Sequence, residues 1–314
     1  MSKYKVPTFN DLGLGGKATA GRVRTLNQDG SFNIRKINIP FFERINIFHA
    51  LISMSWLKFF SLIIIAYVFT NSLFASAFVL IGVEHLTGVD AYTFWAEFAE
   101  AFFFSAQTLT TLGYGRVAPT GIAANTIAAM ESMLGLLVFA LATGLSYARF
   151  SNPTAKIKYS SHGLIAPYQD MNAFMFRIVN VRSSQLLEVE VNLTLSMLKA
   201  NSALRDFYTL ELERKNVVLF PSVWTIVHPI SETSPLYNLS ENEYKDRDVE
   251  FIIMIKAFDQ SFSQTVYSRS SYKANEIHWG EKFAYLMKHD HDGIYVDVSR
   301  LDETEKTELN VLGK

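Results

Sequence analysis

Between Thr108 and Gly121 the chain reads TLTTLGYGRVAPTG, hydroxyl side chains followed by two glycines that bracket a tyrosine. Stripping water from a cation requires closely spaced oxygens on one axis. Successive backbone carbonyls supply them if alternate residues adopt dihedrals that a β-carbon disfavours. Gly113 and Gly115 permit those dihedrals. The carbonyls of Thr111, Leu112, Gly113 and Tyr114 would then face one line, with the Thr111 hydroxyl adding a ring below and Thr110 leading in. Leu112 and Tyr114 side chains would point away and brace the loop. One chain supplies one wall, so the chemistry needs about four copies around an axis. A Gly-Tyr-Gly triplet is also an ordinary turn, and its surroundings decide between the two readings.

Those surroundings are membranous. Hydrophobic residues make up 49% of the 314, concentrated between Trp56 and Phe150. Phe59–Ile81 (FFSLIIIAYVFTNSLFASAFVLI) carries no charge and has about the 20-residue length that crosses ~30 Å of hydrocarbon as a helix. A second span, Ile122–Ala148, is rich in small residues that favour close helix packing and contains one acid, Glu131. The apolar stretch before the glycine loop is too short to cross, which predicts a re-entrant half-helix followed by extended backbone. ERINIFHALISMSW, ahead of the first span, places Ile45, Phe48, Leu51 and Ile52 on one helical face, as an interfacial helix or an extension of the span would.

Arg35, Lys36, Arg44 and Lys58 precede the first span, and Arg149, Lys156 and Lys158 follow the second. The intervening loop carries Glu84, Asp90, Glu97 and Glu100 against Arg116 alone. The positive-inside rule puts both termini in the cytoplasm. The boundaries expected are an N-terminal cytoplasmic segment 1–44, a slide helix 45–55, and a pore domain 56–150. Within the latter lie an outer helix 56–82, pore helix 95–109, filter 110–115 and inner helix 121–150. Residues 151–314 alternate apolar and polar positions in short runs such as FMFRIVNV, LLEVEVNLTLSML and VEFIIMIKAF, an antiparallel β-sandwich pattern.

A net charge of −1 with no Lys/Arg block argues against a nucleic-acid partner. The polar N-terminal stretch does not read as a secretory signal. The glycine-rich run near Lys17 lacks the strand and Ser/Thr of a phosphate loop. HDHDG, from His289 to Gly293, reads as a hairpin turn rather than a metal site. His228 with Ser222 lacks a nucleophile elbow, so the chain is not read as an enzyme.

SAQTLTTLGYG between two spans resembles a potassium-channel pore, and the soluble parts resemble the inward-rectifier family. RVRTLNQDGSFNIRKINI is similar to that family's N-terminal strand. WTIVHPISETSPLY and SRSSYKANEIHWG are similar to its C-terminal stretches, so the likeness runs from about Arg22 to about Gly280. With no cysteine there is no pore-flanking disulfide, which favours the prokaryotic branch. The resemblance implies a fold of membrane α class, a two-transmembrane-helix tetrameric potassium-channel pore with re-entrant pore helix and filter, plus an all-β cytoplasmic immunoglobulin-like sandwich. It implies a homotetramer in the cell (inner) membrane that conducts K+ through backbone carbonyls, with no cofactor and no side-chain metal cluster.

Phe139 and Tyr147 are gate candidates on the inner helix, or aromatic packing residues; Phe258, in an apical loop Ala257–Ser263, is a second constriction. Gly135 and Gly144 are hinges or close helix contacts. Glu131 and Glu188 are the cavity and vestibule acids, Glu131 alternatively being satisfied behind the filter by a Thr or Gln107. By resemblance, Phe139 stands where strong rectifiers carry an acid, Lys256 replaces a vestibule acid, and Gln107 replaces a glutamate paired to an arginine. Trp56, Lys58, Arg149, Lys156, Lys158 and Arg182 are the residues toward membrane lipid, including anionic lipid or phosphoinositide; Ser55 and Asn152 fall where bases are usual. Two rival readings are a non-conducting membrane-anchored sensor or scaffold and a weakly selective cation channel.

Overall fold

The computed structural model describes residues 21–34, 37–38, 40, 46–151, 155–182, 184–200, 202–220, 222–291 and 293–311. Arg35, Lys36, Arg44, Ile45, Asn152, the glycine-rich run near Lys17 and the side chain of His289 lie outside that description. The chain divides into two units, Ile37–Asn152 and a second made of Met1–Lys36 with Pro153–Lys314.

In the first unit, α1 (Ile47–Ser53) is started by Asn46, whose side chain accepts from the His49 N–H at 3.0 Å. Helices α2 (Trp56–Ile81) and α4 (Gly121–Phe150) are long and apolar enough to cross a membrane. Between them α3 (Phe94–Leu109) has 16 residues. At about 1.5 Å per residue it falls short of ~30 Å of hydrocarbon. Its start is capped by Thr93, and its end leads directly into the glycine loop. Ala75, Phe78, Ala101, Phe104, Ala124 and Ala128 form the shared core of α2, α3 and α4. The alanines let backbones approach while the Phe78 and Phe104 rings meet edge to face at 5.1 Å.

A two-residue ribbon of β1 (Leu86–Thr87) and β2 (Ala118–Pro119) ties the exit of α2 to the entrance of α4. Gly88, at φ +87°, is required there, because a β-carbon would overlap the Arg116 carbonyl oxygen. Gly135 has a similar role at the crossing of α3 and α4, where a β-carbon would overlap the Leu109 carbonyl oxygen. Of the two readings of Gly135, hinge or close helix contact, this packing fits the close contact. Gly144 has open space around its would-be β-carbon.

The second unit is a sandwich of two five-stranded sheets. The first sheet is built on β5 (Met171–Asn180), flanked by β3 (Ile157–Tyr159) and β4 (Gly163–Tyr168) on one edge and β9 (Val223–Pro229) on the other, with β12 (Ile277–Trp279) beyond β4. The second runs β11 (Gln264–Lys273), β10 (Glu250–Asp259), β6 (Leu186–Leu198), β7 (Arg205–Leu210), with β8 (Asn216–Leu219) also on β6. Pairing is antiparallel except between β12 and β4, which run parallel, a departure from the all-antiparallel expectation. Alternate residues turn inward, as strand geometry requires: Phe174, Phe176 and Ile178 of one sheet meet Phe251, Ile253 and Ile255 of the other. The Phe174 and Phe251 rings stack with centroids 3.7 Å apart.

Residues 21–34 lie on the outer face of the second sheet. Leu26 is buried with Phe207 and Ile252. The Thr25 and Leu26 N–H groups donate to the carboxylate of Glu250, itself fully buried, at 2.9 and 3.1 Å. Arg24 completes the strap through Ser271 and an ion pair to Glu276 at 2.7 Å.

Because Gly135 sits against backbone, Gly135→Ala should lower the thermal unfolding midpoint of the detergent-purified protein, by an overpacking cost of about 1–3 kcal/mol per chain. Gly144→Ala should leave the midpoint unchanged or raise it, since Ala exceeds Gly in helix propensity by about 1 kcal/mol. Equal, unshifted midpoints for both variants would restore the hinge reading of Gly135.

Candidate functional site: the glycine loop and its supports

The loop begins as α3 runs out of helical partners. Thr110 N–H reaches back to Ala106 O at 3.3 Å, Thr111 N–H to Thr108 O at 3.1 Å and Leu112 N–H to Gln107 O at 2.8 Å. The Thr110 hydroxyl adds a bond to Ala106 O at 2.7 Å. The last carbonyls of α3 are therefore satisfied by the loop itself.

Beyond Leu112 the pattern changes. Thr111, Gly113 and Gly115 have φ of +59°, +54° and +82°, so alternate residues lie in the left-handed region. Gly113 and Gly115 have no atom within 4 Å of a would-be β-carbon, so glycine is there for its dihedral rather than for space. Thr111 was not expected in this set; a β-carbon at positive φ costs roughly 1–2 kcal/mol. Among the described residues, Gly113, Tyr114 and Gly115 receive no backbone hydrogen bond from this chain, and the Leu112 and Tyr114 side chains are exposed. Such a loop has carbonyls to offer a ligand and side chains to offer a neighbour.

Two sets of side chains support it. Ser105 on α3 lies 3.0 Å from Asn71 Oδ1 on α2 and hydrogen-bonds the Glu131 carboxylate on α4, so one hydroxyl joins three helices. All three residues are fully buried. Glu131 is thus corrected from a cavity acid to a buried inter-helix ligand, its partner being Ser105 rather than a Thr or Gln107. The reason is rotational: Glu131 shares its helix face with Gly135, and that face is the one packed on α3. On the other side of the loop, Arg116 pairs with Glu100 of α3 and contacts Gly88 O at 3.4 Å. A carboxylate–guanidinium brace therefore exists, one helical turn and more from Gln107.

Phe139 and Tyr147 are both largely exposed on α4. Arg149, near the end of α4, is placed differently from its expected role. Its guanidinium donates to the carbonyls of Leu51, of Ile52 at 2.9 Å and of Met54 at 2.6 Å. It also lies 4.6 Å over the rings of Trp56 and Phe59. It caps the C-terminal end of α1 and fixes that helix to α4, a role not read from the sequence.

In the soluble unit Glu188 has φ +50° at a bulge, where Glu188 and Val189 of β6 stand opposite Ala257 of β10. It lines a recess of about 380 Å³ with Glu190, Lys256 and Phe258. Glu190, not singled out from the sequence, pairs with Lys215 at 3.2 Å. That hydrogen bond first, with Asn192 and the charges of Lys215 and Lys256, holds its carboxyl below the usual range. Phe258 lies in β10 and the turn starts only at Gln260, so the expected Ala257–Ser263 loop is shorter. Arg182 rests over the Phe262 ring at 5.5 Å. His228 is spent on structure: Nδ1 donates to Glu211 O at 2.5 Å and Nε2 accepts from Ser234 Oγ at 2.8 Å.

Replacing Arg149 by Lys keeps the charge but cannot reach three carbonyls. Amide exchange over residues 47–54 should then quicken by about tenfold or more, as expected when charged hydrogen bonds worth about 1.5–3 kcal/mol are lost. Unchanged exchange, together with weaker binding to anionic vesicles, would return Arg149 to the lipid.

The profile described as "Ion channel" matches residues 59–151, and that of the "Inward rectifier potassium channel C-terminal domain" matches residues 157–313. The chain is similar to "Inward rectifier potassium channel Kirbac3.1" of Paramagnetospirillum magnetotacticum, with 34% identity covering 86% of this chain and 91% of that protein. It is also similar to "G protein-activated inward rectifier potassium channel 3" of Mus musculus and of Rattus norvegicus, each with 27% identity covering 90% of this chain and 78% of the relative. With a glycine loop held between two membrane-length helices and a two-sheet soluble unit, the chain belongs to the inward rectifier potassium channel family.

Proposed function

We propose that the chain assembles as a homotetramer in the cell membrane, both termini cytoplasmic, and conducts K+ selectively through Thr110, Thr111, Leu112, Gly113, Tyr114 and Gly115. The observation that carries this is the alternation of left-handed residues at 111, 113 and 115, with the backbone of Gly113, Tyr114 and Gly115 unspent among the described residues. K+ bound at those carbonyls exchanges its hydration shell for them and moves down its gradient without covalent chemistry. Exposed apolar side chains on α4, among them Leu136, Leu137, Phe139 and Leu141, support neighbours in both lipid and protein.

Gating in this reading uses constrictions at Phe139, Tyr147 and Phe258, with Gly144 as the yielding point of α4. Glu188 is the vestibule acid. Anionic lipid modulates the channel through Lys58 with Trp56 on the membrane unit, and through Lys156, Lys158 and Arg182 on the soluble unit. Phe139 supplies no carboxylate for a blocking cation, so block by polyamine or Mg²⁺ at that level is weak.

Reconstituted in liposomes, the protein should pass K+ well above Na+ and be blocked by Ba²⁺. Absence of flux from intact tetramers across several lipid compositions would favour a non-conducting sensor or scaffold, and equal K+ and Na+ flux a weakly selective cation channel.

A second expectation concerns the loop itself. Gly113→Ala should abolish K+ flux while the tetramer persists on size exclusion, because it strains a dihedral without touching a neighbour in the chain. Selective flux surviving in that variant would defeat the filter assignment.

A further inference from the structure

The soluble unit gathers three ligand-type side chains that are far apart in sequence. His162 precedes β4, His278 lies in β12, and Glu281 begins β13 (Glu281–Phe283). Parallel pairing of β12 with β4 sets His278 opposite Leu164 and brings the two imidazoles together, stacked with centroids 4.1 Å apart. One candidate ligand atom from each of the three lies within 4.8 Å of the others. This grouping goes beyond the expectation of no side-chain metal cluster. Residues this distant in sequence do not announce themselves as a set.

The surroundings are those of a ligand set rather than of a chance stack. Nδ1 of His162 is engaged by the Ser161 hydroxyl at 2.9 Å, while its Nε2 is buried with no hydrogen-bond partner among the described residues. A buried imidazole nitrogen without a partner is costly, and an Nδ1–H donated to Ser161 would leave the Nε2 lone pair free to bind. The Glu281 carboxylate is oriented by the Thr304 hydroxyl at 2.6 Å and lies 3.4 Å from His278 Nδ1. First ligands with hydrogen-bonded second partners are the arrangement that metal sites use.

We propose that His162, His278 and Glu281 form a binding site for a borderline-soft divalent transition metal, with Zn²⁺ the best match. Two imidazole nitrogens and one carboxylate oxygen select Zn²⁺, Co²⁺, Ni²⁺ or Cu²⁺ over Mg²⁺ or Ca²⁺, which prefer all-oxygen shells. Tetrahedral ligation with bonds of about 2.0–2.1 Å sets ligand atoms roughly 3.4 Å apart. The set therefore closes by little more than an ångström, through side-chain rotation that turns the stacked rings toward a shared centre. Three protein ligands leave the fourth position to water. Bound metal would pin β12 and β13 to the segment entering β4, and through β13 to its antiparallel partner, the strand Thr304–Lys306.

The test uses the full chain in detergent, stripped with chelator and titrated with ZnCl₂ by calorimetry and with CoCl₂ by visible absorption. The wild type should bind one Zn²⁺ per chain and show the intense bands of four-coordinate Co²⁺. His162→Ala and His278→Ala should each weaken binding at least about tenfold, and Ser161→Ala by about tenfold as an outer partner. A His289→Ala/His291→Ala variant should bind like the wild type. Absence of saturable binding, undiminished binding in both His162→Ala and His278→Ala, or loss confined to the His289/His291 variant would each overturn the proposal. Should the single variants unfold, X-ray absorption on the Zn²⁺-loaded His289/His291 variant decides instead. Two imidazoles in the shell support the site, and an all-oxygen shell rejects it.

Discussion

Backbone that is neither helix nor sheet has to be held in place where water cannot satisfy it, and the membrane unit is arranged around that demand. Positive φ at Thr111, Gly113 and Gly115 turns the loop away from every regular pattern, so the carbonyls of Gly113, Tyr114 and Gly115 find no backbone partner among the described residues. What holds it is the end of α3, whose position is set in turn by a hydroxyl shared between Asn71 and Glu131 and by the glycine contact at Gly135. Each of these is specific in a way an apolar contact is not. Between apolar helices in lipid, packing and polar bonds have to supply the specificity that hydrophobic burial supplies in water.

Both units use backbone as the partner of a charged group. Arg149 places its guanidinium on the last carbonyls of α1, where the helix dipole is negative, and Glu250 takes the N–H groups of Thr25 and Leu26. Arg205 does the same with the carbonyls of Ser196 and Gly21 while pairing with Asp248 at 2.6 Å. Charge-assisted bonds to backbone are about twice as strong as neutral ones and fix a chain segment rather than a rotatable side chain. This explains how short segments with little apolar surface, α1 and residues 21–34, are tied down in their own units.

The architecture was legible because its signals are local. Long apolar runs marked the helices, alternation marked the sandwich strands, and the glycines marked the loop's dihedrals. The missed features are those that depend on which way a helix or strand faces. Asn71 and Ser105 look like incidental polar residues in apolar helices, and Glu131 was aimed at a cavity because helical spacing groups residues without saying which neighbour the group meets. Thr111 at positive φ had no signal, since the conformation is imposed by the residues on either side. Arg149 looked like a basic residue at the membrane edge; only the turn between α1 and α2 shows that three carbonyls wait for it. His162 and His278 were separated by the whole sandwich, and a parallel strand pair inside a mainly antiparallel fold joined them.

The electrostatics of the Glu188 recess bear on where discrimination among ions can arise. Glu188 and Glu190 are accompanied there by Lys256, and Lys215 binds Glu190 directly, so two acids meet two bases within a small volume. At physiological ionic strength charges separated by more than about 8 Å are screened, so a balanced cluster projects little field. In the proposed role of Glu188 as a vestibule acid, such a cluster concentrates cations weakly and distinguishes them hardly at all. The acid on α4 contributes no more, because Glu131 is buried against Ser105 instead of facing water. Under the proposed function, selectivity is left to oxygens that carry no net charge, the carbonyls of the glycine loop. The rigidity given by Ser105, Gly135 and the Glu100–Arg116 pair then bears directly on function.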